Sequence, residues 1–272
     1  MYCAVRRAAL YIRIVALLFP SASPRTLRSA VLSLKVDHPM HKIAQRILML
    51  VFFVGAAMPA SAATIVDDFS TMPLGTCIDD GSVLGSWLFV YDGYGCNAFV
   101  APSGNTMLLE QPAIATQPYE THANLVVGPA TKGDVTLQVD MATSRQLRTG
   151  SVPNPWEVGW LLWHYTDNVH FYYVILKTNG WEIGKEDPAY PGAQRFLATG
   201  SSPQFPLGPW YRVRVAQSGG TIQLFVNDLL IATAFDDDSP YTGGRIGLYT
   251  EDAESYFDNV IVTSGGKGKK RR

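Results

Sequence analysis

The feature that most constrains the fold is a recurring unit. Runs of four to nine residues rich in Val, Ile, Thr, Tyr, Phe and Trp are each closed by Gly, Pro, Asn or Asp. Thirteen such runs follow residue 62: Thr64–Phe69, Ser86–Tyr91, Thr106–Glu110, Ala123–Val127, Asp134–Met141, Glu157–Tyr165, His170–Lys177, Glu182–Lys185, Trp210–Gln217, Thr221–Val226, Leu229–Phe235, Gly244–Thr250 and Tyr256–Val262. Helical apolar periodicity is nearly absent there. About 200 residues with no repeat or low-complexity linker suffice for one core. The pattern predicts an all-β, two-sheet antiparallel sandwich.

Turn dipeptides predict some registers. Asp167-Asn168, Asn179-Gly180 and Asn227-Asp228 stand between paired runs and tolerate positive φ. If the first two are two-residue loops, Tyr165 faces His170, Trp163 faces Tyr172, and Tyr172 faces Asp187. One face then displays Leu161, Trp163, Tyr165, His170, Tyr172, Val174, Leu176, Ile183, Lys185 and Asp187. The other displays Trp160, Leu162, His164, Phe171, Tyr173, Ile175, Lys177, Glu182 and Glu186. A one-sided sheet alternates apolar with polar. Here both faces carry aromatic and charged groups, so one side is core and the other an aromatic-lined surface, with the assignment open.

The chain's near-neutral charge of −1 conceals three unlike segments. Residues 63–266 hold nine basic and 22 acidic residues, a charge of −13. Nucleic-acid affinity comes from cationic neutralisation of phosphates, so nucleic acid is excluded as the main partner. The terminal GGKGKKRR, residues 265–272, reads as a solvated basic tail.

Residues 40–62, MHKIAQRILMLVFFVGAAMPASA, have the layout of a secretory signal: a basic start, a short apolar run and small residues before a cleavage site after Ala62. Export to the periplasm or the exterior is expected, with no membrane anchor afterwards. Residues 1–39 read as an extension outside the working protein, with Met40 as the start; a long signal with a cytoplasmic extension is the alternative. Export leaves Cys77 and Cys96, which in an oxidising compartment are expected to form one bridge.

TIVDDFS, APSGNTMLLE, GWLLWHYTDNVHFYYVILKTNGWEIGKE, WYRVRVAQSGGTIQLFVNDLLI and GGRIGLYTEDAESYFDNVIVT together resemble the concanavalin A-like lectin/glucanase superfamily in its laminin-G-like, secreted bacterial form. The resemblance implies a jelly roll over residues 63–264 and carbohydrate as partner. It also implies a structural Ca²⁺ held by Asp67 or Asp68, Ser103, Asn105 and Asp258, hard oxygen donors that suit calcium. Ser70 stands where the family can place a further acid. Strand capping is the alternative role for these aspartates.

Glucanases of this superfamily carry Glu-x-Asp-x-x-Glu on one strand, setting two carboxylates ~5 Å apart. The motif is absent. Glu251-Asp252-Ala253-Glu254 is the nearest cluster, and its spacing fits a turn. The Tyr-Phe-Lys and Gln-Ile-His strands of related alginate lyases are absent too. What remains is Trp163, Tyr165, His170, Tyr172, Lys185 and Asp187 on one face, read as a carbohydrate-binding set. Arg195 joins them from the long loop Asp187–Pro209. Within this set His170, Tyr172 and Lys185 are chemically suited to general acid–base work on a uronic acid. His164, Tyr173, Lys177, Glu182 and Glu186 form a competing set on the opposite face, where Lys177 and Glu182 can pair. The sequence therefore reads as an exported, calcium-stabilised, monomeric carbohydrate-binding jelly roll. A polysaccharide lyase or glycoside hydrolase is the first alternative, and a structural or adhesion domain the second.

Overall fold

A computed structural model describes residues 63–265. The expected extension 1–39, the leader 40–62 and the basic residues beyond Gly265 lie outside the described residues. Sixteen strands run in order: β1 (Ala63–Asp67), β2 (Val83–Leu84), β3 (Trp87–Tyr91), β4 (Cys96–Val100), β5 (Met107–Gln111), β6 (Ala123–Lys132), β7 (Asp134–Gln146), β8 (Gly159–Asp167), β9 (His170–Lys177), β10 (Gly180–Glu186), β11 (Gln194–Gly200), β12 (Tyr211–Ser218), β13 (Thr221–Val226), β14 (Leu229–Phe235), β15 (Gly243–Glu251) and β16 (Ala253–Gly265). The first sheet has the order β14-β13-β12-β7-β16-β5-β4, with β1 also on β16; the second is β11-β10-β9-β8-β15-β6-β3-β2. Every pairing is antiparallel. This is the expected jelly-roll sandwich of the concanavalin A-like type.

All thirteen expected strands are present, and β2, β4 and β11 are additional. The last corrects the reading of Asp187–Pro209 as one long loop. Gln194–Gly200 pairs with β10 as an edge strand; its residues are half-exposed or exposed, so no buried alternation marks it in the sequence.

Two registers also differ. Trp163 faces Tyr172 as expected, but a bulge follows and Asp167, not Tyr165, faces His170. His164 sits in the bulge at φ 52°. In the next hairpin Thr178-Asn179 form the loop, so Gly180 faces Lys177 and Tyr172 faces Lys185 instead of Asp187. That slip is two residues. Because side chains alternate with period two, no residue of β10 changes face.

The core between the sheets takes Leu161, Trp163, Tyr172, Val174, Leu176 and Ile183 from the second sheet and Leu137, Val139, Val213, Val215, Leu224 and Phe257 from the first. Fully burying such side chains stabilises by about 1.5–3 kcal/mol each. The indole Nε1 of Trp163 donates to Gln217 Oε1 across the sandwich at 2.5 Å, so burial leaves no orphaned donor. Cys77 and Cys96 form the expected disulfide, with Cα atoms 5.1 Å apart. Closing that loop of 19 residues contributes about 3 kcal/mol.

Candidate functional site

The position of the first sheet decides the open question of faces, and it corrects the expected binding set. Trp163 and Tyr172 are fully buried against the first sheet and meet no solvent. Lys185, on the same inward face, is also fully buried. Its Nζ lies 3.0 Å from Asp236 and 3.3 Å from Asp187, and donates to the carbonyls of Asp238 and Ser239. Tyr172 Oη and Arg195 Nη1 also donate to Asp236, at 2.5 and 3.0 Å. A buried lysine and aspartate are tolerated because each is paired and hydrogen-bonded. Tyr172, Lys185, Asp187 and Arg195 are therefore a brace between β9, β10, β11 and the loop after β14. Its charges are spent on one another.

Two members of the expected set lie elsewhere. The bulge turns Tyr165 to the outer face, where it packs on Phe171 with ring centroids 5.9 Å apart. His170 stays partly exposed at the rim, its Nδ1 2.8 Å from Asp167 Oδ1. The bulge also removes His164 from the competing set, turning it inward to full burial against Tyr172. Burial lowers its pKa to about 4, so it is a neutral core histidine.

The rest of the competing set gathers on the outer face of the second sheet, where a second apolar cluster lies apart from the core. Its centre is Trp160, with Leu162, Tyr173, Ile175, Leu125 and Val127 around it and Phe171 and Tyr249 packed alongside. The Trp160 ring is 5.1 Å from those of both Tyr173 and Tyr249. A polar network borders this floor. Tyr173 Oη donates to Glu182 Oε1 at 2.9 Å and accepts from Gln194 Nε2 at 2.8 Å, while Lys177 Nζ pairs with Glu182 Oε2 at 2.9 Å. Tyr249 Oη donates to Glu251 at 3.0 Å. Burial pushes Glu186 up to about 8 and Glu251 up to about 7. Burial also raises the Tyr173 phenol, keeping it a donor.

Some of this site is hidden from sequence patterning. Gln194 belongs to the edge strand without alternation. Tyr249 and Glu251 come from β15, whose place beside β8 no local signal reveals. The acidic turn is confirmed: Asp252 lies between β15 and β16 at φ 44°, paired with Arg148, and Glu254 pairs with Arg145.

The expected calcium ligands are partly brought together. Ser103, Asn105 and Asp258 wall one cleft on the first sheet, while Asp68 is not part of its lining. Asp67 is spent on the Trp87 indole and the Phe69 amide. Burial first, then the charges of Asp140, Asp68 and Asp67, raise the Asp258 pKa. Among the described residues no group of three or more His, Cys, Asp or Glu is arranged for a metal, so a cation there would depend on the Ser and Asn oxygens.

Residues 80–263 match the model of a family described as the 3-keto-alpha-glucoside-1,2-lyase-like domain. No curated protein matches the chain. Among solved structures it is similar to the carbohydrate binding module CBM66 from Bacillus subtilis, with 17% identity and a TM-score of 0.49 over 66% of this chain and 96% of that one. It is similar also to the GlcNAcα1-4Gal releasing endo-β-galactosidase from Clostridium perfringens, with 12% identity and a TM-score of 0.47 over 85% and 67%. A third is the alginate lyase AlgAT5, with 14% identity and a TM-score of 0.41 over 61% and 82%.

Proposed function

The chain belongs to the 3-keto-alpha-glucoside-1,2-lyase-like domain family, and on that premise we propose that it is an exported jelly roll that binds a glucoside on the outer face of its second sheet. One observation carries the reading. The half-buried rings of Phe171 and Tyr249, resting on the almost wholly buried Trp160 and Tyr173, make an aromatic floor outside the inter-sheet core, bordered by the Glu182, Gln194 and Lys177 network. Sugars present apolar ring faces to aromatic side chains and hydroxyls to mixed donors and acceptors, and the face offers both. The Cys77–Cys96 bridge supports export, since such bonds persist in oxidising compartments.

Titration of the full chain with maltose and trehalose, two neutral α-glucosides, tests the reading. Affinity that falls in Glu182→Gln and Phe171→Ala supports it. Affinity unchanged in both variants sinks it.

Glu186 favours a second, catalytic reading. Burial keeps this carboxyl protonated at neutral pH, and a retained proton beside a sugar floor is what departure of a glycosidic oxygen requires. Under this reading Glu186 is the general acid of a lyase or hydrolase. Release of reducing ends or unsaturated product from the same glucosides separates turnover from binding.

A structural calcium ion completes the proposal. Asp258, Asn105 and Ser103 supply hard oxygens from one wall, and Asp258 sits among acids whose repulsion a cation would relieve.

A further inference from the structure

An open cleft of about 470 Å³ crosses the outer face of the first sheet. Phe257 faces Leu108, Asp258 faces Asp140, and Asp140 faces Arg212. The cleft therefore runs along one row, from β5 over β16 and β7 to β12 and the Asn227-Asp228 turn. Three strand spacings make it roughly 14 Å long. Ser103 and Asn105 stand at the β5 end, and Trp210 stands at the β12 end.

Two kinds of group wall it. One kind is locked in place. Arg212 Nε and Asn259 Nδ2 both donate to Asp140 at 3.0 Å, and the Arg212 amide donates to Asn227 Oδ1 at 2.9 Å. Asn227, Asp228 and Asn259 hold left-handed backbone at φ 50°, 66° and 52°, which fixes the direction of the Asn227-Asp228 turn and of the irregularity in β16 between Asp258 and Ile261. The other kind is unspent. Among the described residues no hydrogen bond engages the side chains of Ser103, Asn105, Trp210 or Asp228. Trp210 is 43% exposed, a large indole left open along the cleft.

A rigid polar frame, unspent donors and acceptors and a bare indole form the chemistry of a saccharide site. Asp140, Asp228 and Asp258 outnumber Arg212, which disfavours uronic acids and sulfated sugars. We infer that this cleft is a second carbohydrate site, for a neutral, disaccharide-sized segment, on the sheet opposite the first. The sugar ring lies against Trp210. The cleft shares Ser103, Asn105 and Asp258 with the proposed calcium, whereas its Trp210 end lies three strands from Ser103 and Asn105, so the two readings are separated by the response of Trp210.

The test uses the indole N–H signals of the full chain, which has six tryptophans. Trp210→Phe assigns the Trp210 signal by deleting it, and maltose is then titrated with calcium or with EDTA. The Trp210 signal should shift on titration and keep shifting in Glu182→Gln, and Trp210→Ala should lower affinity at that site about tenfold. If the Trp210 signal stays still while the Trp160 signal moves, the second site is overturned and the first stands. If the reverse is seen, the first site fails alone; if neither moves, both fail. A Trp210 signal that responds to calcium and not to maltose also overturns the inference, leaving only a cation site.

Discussion

Tyr173 and Gly184 face each other across β9 and β10, and the phenol occupies the space a Cβ on residue 184 would need: that carbon would lie 2.1 Å from Tyr173 Oη. The missing side chain is what lets Tyr173 lie across β10 and reach Glu182 and Gln194. Gly184→Ala should therefore expel the phenol, breaking both bonds and costing about 1–3 kcal/mol. Urea denaturation measures the loss, and maltose affinity should fall with it. An alanine variant of native stability would show that the phenol moves aside freely.

The catalytic reading gives Glu186 a pH signature. Its pKa is raised to about 8, so the protonated donor is present below that value and lost as pH rises through it. Turnover should decline on the alkaline side with a midpoint near there. Glu186→Gln should abolish turnover and retain glucoside binding. A rate that persists unchanged well above the midpoint removes Glu186 as the acid.

Glu110 is fully buried and no side chain among the described residues pairs with its carboxyl, which the Val126 amide alone favours in its charged form; Asn124 Oδ1 is buried beside no donor. Burial drives the Glu110 pKa well above its ordinary value. The folded state therefore keeps a proton that the unfolded state releases. Stability is fully present below the ordinary carboxylate pKa and is lost progressively as pH rises toward the folded pKa. Glu110→Gln should flatten that decline and raise stability at alkaline pH. Urea midpoints across a pH series decide, and parallel curves for the two proteins would refute the assignment.

Arg148 joins Glu157 at 2.6 Å and Asp252 at 2.5 Å, all three side chains almost wholly buried. It also donates to the carbonyls of Gln117 and Pro118. Arg148→Met leaves two buried acids without their cation, Glu157 keeping only the Asn154 amide and Asp252 the His122 amide, and should cost about 3–5 kcal/mol. The triple change to apolar residues should recover much of this, because it removes the uncompensated charges. A single variant that melts with the native protein would contradict the buried triad.

Calcium, if held by Asp258, Asn105 and Ser103, should raise the melting temperature of the full chain, with EDTA reversing the rise. Asp258→Asn should melt alike with and without the ion. A melting temperature indifferent to calcium in the native protein excludes the site.

Local chemistry accounts for how much was legible. Strand existence was readable because β-branched runs ended by turn residues need no partner to be recognised. Of the edge strands, β2 escaped because it is two residues long, β11 because none of its residues is buried, and β4 because its buried Asn97, Ala98 and Phe99 are consecutive and do not alternate. The Asn179-Gly180 turn was misplaced by one residue and the pairing register by two, yet Lys177 and Glu182 still formed their expected ion pair, since an even slip keeps both on one face. The bulge at His164 was not foreseeable. It sets three residues of β8, His164 to Thr166, against Phe171 alone and turns His164 inward and Tyr165 outward, and only competition between core and surface determines where such a bulge falls.

The sequence by itself determined thirteen of the strands, the sandwich class, the Cys77–Cys96 pairing and which side chains share a face along β9, β10 and β8 as far as Trp163. It did not determine which face is inside, because Trp163, Tyr172 and Lys185 are no less plausible on a surface than Trp160, Tyr173 and Lys177. Only the docked first sheet decided that. Its apolar inner residues and the Asp236 carboxylate receive the first set, turning expected sugar ligands into core and brace, and leave the second set as the floor of the proposed site. The reason is physical: alternation along a strand is local, whereas burial is a property of what lies opposite.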